Sequence, residues 1–262
     1  MRMTYRSCGV KEYWENRWAE IPADSAMTND SVYPLKYALQ TVVSRDGAIL
    51  EAGCGAGRIL RYFHERGHDI TGIDYIDIAV AKLCNADPTL KVETGDITRL
   101  KFPDGRFRYV LAYGLYHNLE HGLDAAVAET LRVLEPGGRV CASFRADNIQ
   151  TRLTDRLADS RARRSGKVAG TAFHKMNLTR REFAALFERA GFMVESVSPV
   201  QNMPILYKFA FFRACTHKAF DENRARAEGY RLSGLGQLLQ NVLMRFLPDQ
   251  FCNIYLLIAR RP

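Results

Sequence analysis

Short runs of apolar residues alternate along the chain with stretches in which apolar residues return every three or four positions. The runs at 48–50, 69–74, 90–94, 107–112, 139–144, 192–198 and 253–259 are short, continuous and bounded by turn residues, so they predict buried strands. Between them the spacing predicts helices over 35–45 (Leu35, Tyr37, Ala38, Leu39, Val42, Val43), 58–66, 77–86, 122–135 and 180–190. Gly67 suits a helix C-cap, Asp87-Pro88 a stop, Pro103-Asp104-Gly105 a turn, and Pro136-Gly137-Gly138 the end of the helix before it. Strands alternating with helices predict an α/β fold, a parallel sheet covered on both faces. Ligands of such sheets bind at the carboxyl ends of the strands.

Chemistry-bearing residues gather at those ends. Ala48, Ile49 and Leu50 lead into Glu51, and then come Gly53, Gly55 and Gly57. Glycines at alternate positions allow left-handed backbone and close approach to a ligand. Glu51 is placed to hold a cationic amine. Asp74 ends the run Ile70-Thr71-Gly72-Ile73, where a carboxylate meets a ribose diol. Asp96 follows Gly95 near the end of a third strand. A bare glycine turn is weak evidence, but three acids at three successive strand ends form a constellation.

These residues resemble the class I S-adenosylmethionine-dependent methyltransferases. Glu-Ala-Gly-Cys-Gly-Ala-Gly at 51–57 is similar to their first motif, Gly72-Ile73-Asp74 to the second and Gly95-Asp96-Ile97 to the third. The segment Ala112 to Leu119 resembles their fourth strand and its loop. Leu131-Arg132-Val133-Leu134-Glu135-Pro136-Gly137-Gly138 resembles a turn common in the small-molecule branch. Leu178-Thr179 through Ala190-Gly191-Phe192 resembles that branch's later helix. The resemblance covers roughly 35–200 and the last strand. It implies a Rossmann-like, mostly parallel seven-stranded sheet whose last strand is antiparallel, and S-adenosylmethionine as cofactor. Glu51, Asp74 and Asp96 would meet its amino-acid, ribose and adenine ends. Gly53, Cys54, Gly55, Gly57, Tyr75, Ile97 and Tyr113 would complete that pocket, Ile97 against the adenine. Cys54, Tyr113 and Ile97 equally read as packing residues.

The sulfonium of this cofactor activates its own methyl group, so the protein mainly positions an acceptor and shields it from water. A base is needed only if the acceptor must lose a proton. His117, just past the fourth strand, is one candidate, or else it orders the loop. His174, in Phe-His-Lys-Met-Asn at the cleft edge, is the other, and His121 the weaker third. The expected domains are an N-terminal helical lid at 1–34, the core at 35–200 and 250–262 with a basic insertion at 147–177, and a helical cap at 201–249. Tyr13, Trp14 and Trp18 share a face with Arg17 on the lid, and the polar segment from Ile21-Pro22-Ala23-Asp24 to Ser31 reads as a hinge. The cap carries Met203, Ile205, Leu206, Tyr207, Phe209, Phe211, Phe212 and Phe220, then Leu235, Leu238, Leu239, Val242, Leu243, Met244, Phe246 and Leu247. It is expected to roof the cleft, with Tyr207, Phe211 and Phe212 facing a small hydrophobic or lipid-linked acceptor.

Composition narrows this little. The 262 residues are 47% hydrophobic and 25% charged, ordinary for a globular protein. Six scattered cysteines without a CxxC pair argue against a zinc site, or any metal, and against a disulfide framework; they fit a reducing cytoplasm. The first twenty residues lack a signal-peptide core, and no apolar run is long enough to span a membrane. The net charge is +8, with Arg152, Arg156, Arg161, Arg163, Arg164 and Lys167 set against Asp155 and Asp159. That cluster reads as a solvated helix face or as a contact for an anionic membrane surface. A nucleic-acid methyltransferase is the main rival. It is weakened because the segment after the fourth strand reads Tyr113-Gly114-Leu115-Tyr116, not the Asn/Asp-Pro-Pro-aromatic grip on a flipped base. A nicotinamide dehydrogenase is disfavoured by GxGxG with Glu51. A non-catalytic cofactor-binding subunit is the remaining alternative.

Overall fold

The computed structural model describes residues 1–21, 23, 26–164, 170–219 and 229–262; for residues 161–163 it describes the backbone alone. The chain opens with a strand, β1 (Arg2–Arg6), and the aromatic helix α1 (Val10–Glu20), followed by α2 (Leu35–Thr41). The alternating core comes next: β2 (Ile49–Ala52), α3 (Arg58–His64), β3 (Ile70–Asp74), α4 (Asp77–Ala86), β4 (Lys91–Thr94), β5 (Phe107–Ala112), α5 (Leu123–Val133) and β6 (Leu134–Arg145). Helix α6 (Ile149–Arg164), strand β7 (Ala172–Asn177), α7 (Arg180–Arg189) and β8 (Met193–Val200) lead to the cap segment. That segment holds α8 (Gly234–Phe246) and α9 (Pro248–Phe251), and β9 (Ile254–Arg260) ends the chain.

Seven strands form one sheet in the order β4-β3-β2-β5-β6-β9-β8. The pairs β3–β4, β2–β3, β2–β5 and β5–β6 are parallel, and β9 runs antiparallel to both its neighbours. The last strand therefore inserts between β6 and β8 instead of closing an edge. Side chains alternate across a strand, so each central strand feeds two cores. Leu50, Val110, Ala142 and Phe144 face the α5 and α7 side with Val127, Phe183 and Phe187. Ile49, Leu111 and Cys141 face the other side, against Leu35, Ala38, Ile59, Phe63 and Leu83 of α2, α3 and α4. Helix α7 starts at a capping box in which Thr179 and Glu182 satisfy each other's backbone N–H.

Three features depart from the sequence expectations. The N-terminal segment does not begin with helix: β1 pairs with β7 in an antiparallel ribbon, Arg2 opposite Asn177 and Arg6 opposite Ala172. That ribbon uses up the acids of the basic insertion. Arg2 bonds Asp147 and Asp155 (both 2.7 Å), Lys175 bonds Asp155 (2.9 Å), Arg6 pairs with Asp159, and Arg152 is bidentate on Asp147 (3.0 and 2.9 Å). Gly166, Lys167, Pro22, Asp24 and Phe220 lie outside the described residues.

The cap segment differs most. Around Tyr207 and Leu232, with Leu206, Phe212 and Tyr230 packed on them, it has a small core of its own. Tyr207 shares a hydrogen bond with His217 Nδ1 (3.0 Å), and Phe211 is 76% exposed. The three aromatic residues expected to face the acceptor therefore do not: Tyr207 and Phe212 satisfy each other locally, and Phe211 points to solvent. Helix α8 is inverted relative to the usual pattern. Gly236 and Gln240 face inward, while Leu235, Leu238, Leu239, Val242 and Phe246 are exposed. Gly236 sits inward because a Cβ there would lie 2.7 Å from the Phe212 carbonyl oxygen, and only glycine allows that approach.

Candidate functional site

Strand β2 delivers Glu51 to the carboxyl edge of the sheet, and the glycine turn follows. Gly53, Gly55 and Gly57 all have positive φ (75°, 52° and 84°), the region that favours glycine. Two of them are also required by contact. A Cβ on Gly57 would lie 2.4 Å from Leu83 of α4, and one on Gly55 would lie 2.6 Å from the Trp18 ring of α1. The turn is tied to the end of β3: Gly53 and Cys54 donate their N–H groups to the Ile73 carbonyl, and Gly55 N–H donates to Asp74 Oδ2 (2.8 Å). Asp74 Oδ1 accepts from Ile76 N–H (3.0 Å). The second motif thus holds the first in shape, and the Asp74 carboxylate is fixed before any ligand arrives.

Glu51 is 5% exposed, one of its carboxylate oxygens has no partner, and burial pushes its carboxyl up to about 8. A buried acid with a vacant acceptor beside a cavity fits the amino group of S-adenosylmethionine. Asp96 is exposed in the turn after β4, its Oδ1 accepting from Thr98 N–H and Oγ1 (both 2.8 Å), and Ile97 behind it belongs to the core. Tyr75 is half exposed, with the Lys11 amino group 5.3 Å from its ring centre. The Cys54 thiol is buried and held well above its usual pKa by burial, then by Glu51 and Asp74; it packs below Gly72 as a small apolar group. Tyr113 packs edge-on against Tyr33 (5.8 Å), whose hydroxyl bonds Ser143 Oγ (2.9 Å); the same oxygen accepts from Gly114 N–H (2.8 Å). Ser143 on β6 thereby sets the course of the chain after β5.

Across from these acids the walls come from other elements. Helix α1 brings Tyr13, Trp14, Arg17 and Trp18, with the two indoles stacked at 5.3 Å. Its C-terminus is held to α4 by Lys82, whose ammonium donates to the carbonyls of Trp18, Ala19 and Ile21 (2.7, 2.7 and 2.9 Å). His117 lies buried in the 3₁₀ turn Tyr116–Asn118, its Nδ1 without a partner. Burial holds its pKa well below the usual imidazole range, helped by Arg145, Lys175 and His174, so the ring is neutral at physiological pH. His174 of β7 meets Tyr13 edge-on (5.8 Å), and burial lowers its pKa to about 4. Lys175 beside it is lowered to about 8, first by burial and then by Arg145.

A single cavity of about 680 Å³ is lined by all of the predicted residues: Glu51, Gly53, Cys54, Gly55, Gly57, Asp74, Tyr75, Asp96, Ile97, Tyr113, His117 and His174, with His121 at its rim. From the cap segment it takes Asn202, Met203, Lys208 and Tyr230. Sequence reasoning missed Arg145, Lys175 and Gln150, which share this cavity. Arg145 had a readable signal, because it directly follows the apolar run at 139–144 and so occupies a strand end as Asp74 does. No cluster of metal-ligating side chains occurs among the described residues.

The sheet order, the antiparallel last strand and the acids at the strand ends are those of the Rossmann-like class I methyltransferase fold. Residues 49–138 match the family model for a methyltransferase domain. A protein of Mycolicibacterium smegmatis described as a probable S-adenosylmethionine-dependent methyltransferase is 30% identical over 149 residues, covering 56% of this chain and 52% of that protein. EEF1A lysine methyltransferase 4 of Bos taurus is 29% identical over 170 residues, covering 56% of this chain and 66% of its own. Among solved structures, an S-adenosylmethionine-dependent methyltransferase of Methanosarcina mazei superposes with a TM-score of 0.58 at 16% identity, over 88% of this chain and 98% of that one; a likeness at this identity concerns the fold. Residues 49–138 are thus a methyltransferase domain by sequence, and the chain as a whole shares the fold of S-adenosylmethionine-dependent methyltransferases. It spans about half to two thirds of the length of the first curated relatives it matches.

Proposed function

We propose that this chain transfers the methyl group of S-adenosylmethionine to an oxygen, nitrogen or carbon nucleophile on a small acceptor with an apolar body. The observation that carries the reading is one cavity with the buried, half-satisfied Glu51 and the prearranged Asp74 at one end, and the neutral, unpartnered His117 across from them. Bound S-adenosylmethionine supplies a methyl group already made electrophilic by the sulfonium. The chain's own residues do the rest. Glu51 holds the ligand's amine, Asp74 its ribose diol, and Ile97 and Asp96 flank the adenine. Trp14 and Trp18 roof the cavity from α1 and exclude water, which strengthens each orienting contact. His117 Nδ1 is without a partner, and in the tautomer protonated on Nε2 it would take the acceptor's proton where the acceptor carries one. Trp14, Tyr33, Leu119, Met203 and Tyr230 supply apolar lining for the acceptor body.

The test is calorimetry with S-adenosylhomocysteine and NAD, followed by incubation of cell extracts with deuterium-labelled S-adenosylmethionine and mass spectrometry of small molecules and protein. The expected result is S-adenosylhomocysteine binding and a labelled small molecule. Binding of NAD instead, or label in protein or nucleic acid alone, overturns the reading.

A further inference from the structure

Arg145 ends β6, opposite Ile254 of β9, and lines the cavity half-buried. Its guanidinium makes no hydrogen bond or ion pair among the described residues. This sets it apart on its own wall. Arg2 and Arg152 are held by Asp147, Arg2 and Lys175 by Asp155, and Arg6 by Asp159. Those pairs set four cations on the three nearby carboxylates and leave none of the three for Arg145. Three cavity groups feel it: Arg145 opposes protonation of His117, His174 and Lys175. Two further polar atoms in the same wall are buried without partners, His117 Nδ1 and Gln150 Oε1. A guanidinium presents a planar fork of donors that matches a carboxylate or phosphate, and a half-buried fork beside a cavity has only part of its hydration to satisfy it. The cavity therefore carries Glu51 and Asp74 at the cofactor end, and on another wall an Arg145 guanidinium that none of the nearby carboxylates holds, beside Lys175.

We propose that Arg145 anchors a carboxylate or phosphate group on the acceptor, which makes the substrate class a small anionic molecule. The anchor would fix one end of the acceptor and leave Gln150 and His117 to meet its neutral polar groups. This inference rests on the cavity being the acceptor site of a methyltransferase, and the test separates the two. Full-length protein saturated with S-adenosylhomocysteine is titrated with inorganic phosphate and with benzoate, by calorimetry and thermal shift. Benzamide serves as the neutral isostere and sodium chloride as the ionic-strength control. At least one anion binds at millimolar concentration, and benzamide does not. Arg145→Gln weakens that anion tenfold or more while S-adenosylhomocysteine affinity stays within about threefold, roughly 0.7 kcal/mol. Arg145→Lys, which keeps the charge but not the fork, guards against misfolding of the glutamine variant and shows a smaller loss. Phosphate without benzoate assigns a phosphorylated acceptor, and the reverse a carboxylate. If neither anion binds, if benzamide binds as well as benzoate, or if both variants bind the anion like wild type, the anchor is wrong. Failure of the wild type to bind S-adenosylhomocysteine instead removes the methyltransferase reading itself.

Discussion

Cofactor binding is expected to release a proton, and Glu51 is the source. Its carboxyl is held at about 8 by burial, which outweighs the Leu60 backbone hydrogen bond and the Arg58 charge. At pH 7 the group is therefore about 90% protonated. The amine of S-adenosylhomocysteine brings a positive charge to it and favours the carboxylate. Binding at pH 7 should release close to one proton, less the small fraction the ligand's own amine takes up. Calorimetry at pH 7 in phosphate, imidazole and Tris buffers, which differ in ionisation enthalpy, reads that number directly. Near pH 9.5 the release should vanish, because Glu51 is already ionised. The same shift sets a stability profile. The native carboxyl lies above its unfolded value of 4.5, so the stabilisation is complete below pH 4.5 and is lost as pH rises through about 8. At about 1.36 kcal/mol per tenfold change in acidity, the loss is on the order of 3–5 kcal/mol for the ligand-free protein. Saturating ligand should flatten it. Glu51→Gln should abolish both the proton release and the pH dependence and weaken the ligand by about 1.5–3 kcal/mol, the worth of a charge-assisted hydrogen bond. Buffer-independent enthalpies at pH 7, or a glutamine variant that still releases a proton, would refute the assignment of Glu51 to the ligand amine.

Four other outcomes follow from the geometry. Gly55→Ala places a Cβ against the Trp18 ring at positive φ, so S-adenosylhomocysteine affinity should fall at least tenfold and tryptophan fluorescence should change; no change in either refutes the close approach. Asp74→Ala strips the acceptor from the Gly55 and Ile76 N–H groups and should cost about 1–3 kcal/mol in both ligand binding and stability, while Asp74→Asn, which keeps an acceptor oxygen, costs less. With an acceptor in hand, His117→Ala should lower kcat by about 10²–10⁴ with little change in S-adenosylhomocysteine affinity, and the wild-type rate should stay flat through neutrality because the ring is already neutral. Thr179→Ala removes the capping box of α7, 21 residues before the cap segment's Val200–Gln201 junction, and should lower unfolding free energy by about 1 kcal/mol in a denaturant melt without altering ligand affinity.

The alternating core was readable because each of its elements announces itself locally. Ile49–Ala52 and Phe107–Ala112 are short, mostly apolar runs, buried apart from Arg108, and α4 spans the residues expected from its spacing and its Asp87-Pro88 stop. The β1–β7 ribbon was not readable. Its strands are five and six residues long and lie about 170 residues apart, and the ion pairs beside them, such as Arg2 with Asp155 of α6, join residues as remote in sequence. The cap segment misled for a different reason. Its aromatic residues were read as cleft lining because apolar density alone does not say what the density packs against. Tyr207 found His217 and Leu232 within its own segment, which is the nearer partner in sequence and so the smaller loop to close.

The two ends of the cavity therefore differ in kind. The cofactor end is built from consecutive strand ends and their turns, so Glu51, the glycines and Asp74 fall within 24 residues and form a motif. The other end has no such economy. Its walls come from α1, the turn Tyr116–Asn118, the last residue of β6, the first turn of α6, strand β7 and the residues around Met203. Each piece contributes one or two side chains, and no local spacing ties them together. A substitution at Arg145 or His174 changes what the acceptor end recognises and leaves the glycine turn, Glu51 and Asp74 in place. Proteins sharing the strand-end motif are thus free to differ in what they act on, and the strand-end motif alone carries no information about the acceptor. That information has to be sought on the scattered walls, where the Arg145 guanidinium makes no hydrogen bond or ion pair among the described residues.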